Sequence, residues 1–151
     1  KVGHNVVVFE KDDRIGGLLM YGIPNFKLEK RIVLRRIEVL RKEGIKFCPN
    51  SHVGKNVKIK DLQDNYDALI LCGGAQQPRD LPVEGRKLNG IHFAMDFLPQ
   101  QTRRLQGDVI TESKFITAKN KNVLIIGGGD TGSDCLGTSL RQGAKKIDQF
   151  W

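Results

Sequence analysis

A chain of 151 residues, 39% apolar and 28% charged, is long enough to bury one ordinary core and too hydrophobic to be disordered. No apolar run approaches the ~20 residues needed to cross a bilayer, which excludes a helical membrane span. The formal charge of +8 raises nucleic acid as a partner, but residues 1–60 carry 14 Lys/Arg against 6 Asp/Glu while residues 61–151 carry 11 of each, so the excess is confined to the first two fifths.

The chain opens Lys1-Val-Gly-His4 and runs straight into an apolar stretch, with no charged leader or cleavage site, so no secretory signal is expected. The absence of an initiator Met suggests an internal fragment. Asn5-Val-Val-Val-Phe-Glu10 has the β-branched, aromatic composition of a strand in a parallel sheet. Arg14-Ile-Gly-Gly17 breaks it. A helix is predicted over about 29–43, where Lys30, Arg31, Arg35, Arg36, Arg41 and Lys42 interleave with Val33, Ile37 and Leu40, and Gly44 stops it. Its basic face is either solvated or docked on an acidic partner. Aromatic residues that could stack on bases are lacking near it, and no nucleic-acid site is expected.

Ile45–Cys48 reads as the next strand and Tyr66-Asp-Ala-Leu-Ile-Leu-Cys72 as a further buried one, closed by Gly73-Gly74. Pro78, Pro82, Gly85 and Gly90 mark residues 76–90 as loop and turns. A helix over about 92–105 precedes a polar connector, 106–120. The pattern then restarts: strand Asn122–Gly127, glycine turn, helix through Arg141, Gly143 as its stop, and a strand from Lys146 to Trp151. Recurrence of strand, glycine turn, helix and strand predicts an α/β fold with a parallel, doubly wound (Rossmann-like) sheet.

Gly127-Gly128-Gly129-Asp130-Thr131-Gly132 satisfies G-x-G-x-x-G between a predicted strand and a predicted helix. In that context the first glycine allows the tight turn, the second lets a pyrophosphate approach the backbone, and the third lets helix pack on strand, with exposed N–H groups facing the phosphates. Asp130 and Thr131 either cap the new helix or reach toward the nicotinamide. The residue that separates NAD from NADP is expected ~20 residues past the glycines, beyond Trp151. Glu10, at the end of the first strand, suits an acid that binds a ribose, and it forms Glu-x5-Gly-Gly with Gly16 and Gly17. Cys48, Cys72 and Cys135 are an odd, scattered set without a Cys-x-x-Cys, so neither a disulfide framework nor a metal site is expected, and a reducing cytoplasm fits. Cys48 and Cys135 read as buried small residues. His4, His52 and His92 suggest no metal or triad, and His92 is structural or a partner contact.

Four collinear blocks, Glu10–Lys27, Leu71–Ala75 with Pro78–Pro82, Gly90–Leu98 and Gly127–Cys135, resemble the small (beta) subunit family of glutamate synthase. The same layout occurs in the electron-input part of dihydropyrimidine dehydrogenase and in ferredoxin-NADP reductase-like subunits. The resemblance implies parts of two nucleotide-binding domains: a partial FAD domain at 1–105, a connector at 106–120, and the start of an NAD(P)H domain at 121–151. It implies hydride transfer from NADPH to FAD, then electrons passing through iron–sulfur clusters to a large (alpha) subunit that makes glutamate from glutamine and 2-oxoglutarate. By the same resemblance, Glu10 binds the FAD ribose, Gly17 and Leu18 pass close to FAD, Lys27 lies near it, and Val53 offers backbone contacts to the adenine. Cys72, Gly73 and Gly74 close the FAD site, and Gly128, Gly129, Asp130 and Thr131 hold NADPH. The family's cluster cysteines, its first FAD fingerprint and its FAD-closing segment are missing from the chain, which is expected to be inactive by itself. No general base is expected, because hydride transfer between two cofactors asks the protein for position and electrostatics.

Overall fold

The computed structural model of the chain describes residues 2–75 and 77–150. It divides into two compact units, one of Lys1–Gly17 with Arg31–Asp80, the other of Leu18–Lys30 with Leu81–Trp151.

In the first unit, β1 (Val7–Phe9) pairs in parallel with β2 (Lys46–Cys48), Val7 opposite Lys46 and Phe9 opposite Cys48. Between them in sequence runs α2 (Lys30–Lys42), after a four-residue α1 (Leu18–Tyr21) that belongs to the other unit. The predicted period is obeyed: Val33 and Ile37, four residues apart on one face, are buried. The helix stops at Gly44, whose φ of +96° is the left-handed conformation a β-carbon disfavours. Arg41 lies over the Phe47 ring, 5.8 Å from its centroid. A short helix, α3 (Ile59–Asn65), is not among the predicted elements; it rests on one buried side chain, Leu62, too little to produce a visible periodicity.

Tyr66–Cys72 is not a strand and is not buried, contrary to the expectation from its apolar run. Ile70 and Leu71 are 86% and 93% exposed, and among the described residues the only sheet of this unit is β1–β2. An apolar run supplies propensity, but a strand exists only through a ladder partner. Phe9 and Tyr66 do meet, edge to face at 6.0 Å.

In the second unit, α4 (Ala94–Leu105) packs against both α1 and α5 (Asp130–Gln142). The parallel pair β3 (Asn122–Ile126) and β4 (Lys146–Phe150) flanks α5 in sequence, Asn122 opposite Lys146 and Ile126 opposite Phe150. Met20, Leu98, Thr102 and Ser139 are its most deeply buried side chains. The polar connector is tied down by glutamines: the Ile116 N–H donates to Gln100 at 2.9 Å and the Ala118 N–H to Gln142 at 2.7 Å. Trp151, the last residue of the expected final strand, and Gln76, the first of the expected loop, lie outside the described residues.

Candidate functional site: a glycine turn between a strand and a helix

The chain leaves β3 at Gly127, whose N–H donates to the Phe150 carbonyl at 2.6 Å. Gly127 has φ +118°, a conformation nearly reserved for glycine, and its own carbonyl turns back to accept from the Gln149 amide at 2.7 Å. The same carbonyl oxygen sits where a β-carbon on Gly132 would have to be. Strand end, helix start and a β4 side chain therefore converge on one oxygen, and residue 132 must be glycine for α5 to come this close.

Gly129 behaves oppositely. It is the N-cap of α5, with φ −76° and ψ −173°, and a β-carbon there would meet nothing within 4 Å. The glycine cap makes no side-chain hydrogen bond to the helix, and the first-turn N–H groups lie at the positive end of the helix dipole, an arrangement able to receive an anion. Asp130 and Thr131, the first two residues of the helix, are exposed. Gly128, between Gly127 and Gly129, is half-buried.

Asp130 takes part in an ion-pair cluster. The Lys27 ammonium lies 2.6 Å from Asp134 Oδ1 and 3.6 Å from Asp130 Oδ1; the Asp134 side chain is 10% exposed and that of Asp130 fully exposed. The Asp134 carboxylate, aided by Asp130, holds the Lys27 ammonium above the ordinary lysine pKa. The resemblance implies Lys27 near a flavin; the structure brings it to the helix of the glycine turn. Asp134 escaped the sequence reading, although its i+4 spacing from Asp130 places both on one helix face.

The loop that carries Lys27 is fixed from within. Lys30, 6% exposed, donates from Nζ to the carbonyls of Leu19 at 2.9 Å, Ile23 at 2.5 Å and Leu28 at 3.2 Å. Burial pulls its pKa below the ordinary lysine value. Phe26, in the same loop, packs its ring against Gly137 of α5, where a β-carbon would lie 2.5 Å from Cζ, and Arg141 covers the ring 3.8 Å from its centroid.

The residues expected around the other cofactor fall mostly in the first unit. The Glu10 carboxylate accepts the Asp12 N–H at 3.0 Å, and the Glu10 carbonyl accepts the Ser51 N–H at 2.8 Å, bringing the strand-end acid near the segment of Val53. Val53 forms an isolated parallel bridge with Val57. Gly17 has φ +51° and Gly74 φ +66°. Cys72, Gly73 and Gly74 are exposed, and a β-carbon on either glycine would meet nothing within 4 Å. Leu18, 63% exposed, begins α1 in the second unit. Cys48 and Cys135 are half-buried rather than fully buried; burial, with the nearby Asp134 charge, pushes the Cys135 thiol up to about 11.

A parallel strand–turn–helix–strand unit with a closed third glycine and an open cap defines the dinucleotide-binding α/β class. Residues 2–147 match the pyridine nucleotide-disulphide oxidoreductase family, and the chain belongs to it. The chain is 52% identical over 150 residues to the glutamate synthase [NADPH] small chain of Bacillus subtilis, covering 99% of this chain and 30% of that protein. It is 42% identical to the glutamate synthase [NADPH] small chain of Escherichia coli, covering 96% of this chain and 31% of that one. The glutamate synthase [NADH] of Schizosaccharomyces pombe is 51% identical, over 97% of this chain and 7% of its own length. The resemblance to glutamate synthase small chains thus runs through nearly the whole sequence, and the chain spans about 30% of the length of the small chains it matches. Among the described residues no helix is long and apolar enough to cross a membrane.

Proposed function

We propose that the protein carrying this sequence is the electron-input subunit of a glutamate-synthase-type oxidoreductase, taking hydride from NADPH onto FAD and feeding electrons through iron–sulfur clusters to a large (alpha) subunit that forms glutamate. In this reading 1–105 is part of the FAD domain, 106–120 a connector and 121–151 the start of the NADPH domain. The observation that carries it is the contrast between Gly132, closed by the Gly127 carbonyl, and Gly129, open over an uncapped helix end. That contrast fits a pyrophosphate seated on residue 129 with α5 supplying its N–H groups and dipole.

On the flavin side, Glu10 would hold the FAD ribose from the end of β1, and Gly17, Leu18, Val53, Cys72, Gly73 and Gly74 would line the cofactor. The bound pair of cofactors supplies the redox chemistry, and the chain's own residues bind, orient and shield them. The names of the two small chains support NADPH and glutamate, although a relative of 51% identity is named for NADH, and their designation as small chains supports a larger partner. The test is anaerobic addition of NADPH to the whole protein followed by its flavin absorbance. Rapid bleaching, faster with NADPH than with NADH, is expected; a protein without flavin, or a flavin that NADPH leaves oxidised, would overturn the reading.

A further inference from the structure

We propose that Lys27 is a positioning residue of the dinucleotide turn: its ammonium neutralises Asp134 and Asp130, two carboxylates at the start of α5 that would otherwise repel a diphosphate. The inference rests on the reading of Gly127–Gly132 as a dinucleotide site, and it gives Lys27 a part at that turn in addition to the flavin contact that the resemblance implies.

The helix end offers a dipole and free N–H groups to an anion, yet it also carries Asp130 as its first residue and Asp134 one turn on. The two acids differ in what they need. Asp134, nine-tenths buried, is poorly solvated and requires its cation; Asp130, fully exposed, is screened by water and can swing away from the 3.6 Å contact. Lys27 is therefore anchored by Asp134 and only loosely tied to Asp130. Its backbone is equally held: the N–H groups of Lys27 and Leu28 both donate to the Pro24 carbonyl at 3.0 Å, and Lys30 pins the carbonyls of Leu19, Ile23 and Leu28 from within. A charge on so fixed a stem is preorganised rather than recruited by the ligand. One uncompensated carboxylate several ångströms from a diphosphate weakens binding by on the order of tenfold in partly screened surroundings.

The test is calorimetric binding of NADP⁺, which cannot reduce the flavin, to the whole protein and to Lys27→Met, Asp134→Asn and the double variant, with Gly129→Val alongside. Lys27→Met is expected to bind on the order of tenfold more weakly, with a larger loss at low salt, and Lys27→Arg to stay close to wild type. Adding Asp134→Asn to Lys27→Met is expected to restore most of the affinity, and Asp134→Asn alone to bind more tightly, because Lys27 is then free to face the diphosphate. Wild-type affinity in Lys27→Met, or a double variant as weak as Lys27→Met, overturns the proposal. If Lys27→Met fails to fold, Asp134→Asn alone decides, since affinity unchanged or weakened there also overturns it. Unchanged binding in Gly129→Val would instead remove the dinucleotide site itself, whatever Lys27 does.

Discussion

Gly132 faces the carbonyl oxygen of Gly127 so closely that no β-carbon fits between them. The obstacle is backbone, held by the Gln149 amide on one side and by the β3–β4 ladder on the other, so it cannot swing aside as a side chain would. Gly132→Ala is expected to destabilise the fold by about 2–4 kcal/mol, through displacement of α5 from the strand end. Thermal unfolding checks this, with Gly129→Ala as its companion; there the new methyl enters open space, and the loss should stay within about 1 kcal/mol. Equal melting of the two variants would mean that the turn is looser than its geometry.

Lys30 is itself buried and donates to three part-buried main-chain carbonyls. Replacing it by methionine keeps the aliphatic stem and removes every one of those hydrogen bonds. The expected cost is about 2 kcal/mol, the scale of charge-assisted bonds lost from part-buried acceptors that water can partly reach. Denaturant unfolding of Lys30→Met measures it, and a change below about 0.5 kcal/mol would show that water replaces the ammonium without penalty.

The thiols provide a pH-dependent check. Cys72 is exposed, whereas Cys135 is half-buried with its pKa raised to about 11, first by desolvation and then by the Asp134 charge. Because the thiolate is the reactive form, at pH 8 only about one Cys135 in a thousand is ionised. In the flavin-free protein, iodoacetamide at about pH 8 is expected to label Cys72 first and Cys135 last, with the Cys135 rate climbing steeply between about pH 9 and 11. Mapping the labelled peptides by mass spectrometry tests both order and slope. Cys135 labelling as fast as that of Cys72 at the lower pH would contradict the buried environment.

Much of the fold was legible because its signals are local. The α2 period of Val33 and Ile37, the Gly44 and Gly143 stops, and the β3–turn–α5 sequence each depend on residues a few positions apart, and each element lies within a residue or two of its expected bounds. Tyr66–Cys72 failed for the opposite reason: its strand character depended on partners far away in sequence, and Ile70 and Leu71 instead remain exposed. The glycine turn could be read in the same way as α2, since the turn at Gly127 and the close approach at Gly132 depend on residues a few positions apart. The Lys27–Asp134 pair could not, because its members lie 107 positions apart and the packing of the Phe26 loop on α5 brings them together. Coenzyme preference is similarly not written in the matched residues, as relatives named for NADPH and for NADH are 52% and 51% identical to this chain.

The most direct test of the central claim, that the open space over Gly129 is diphosphate space, is the affinity of the whole protein for NADP⁺ in the wild type, in Gly129→Ala and in Gly129→Val. A progressive weakening is expected, on the order of tenfold for the methyl and a hundredfold for the branched side chain, with melting temperatures nearly unchanged because neither group meets protein. Constant affinity across the series would contradict the account, leaving the turn as a structural junction between β3 and α5.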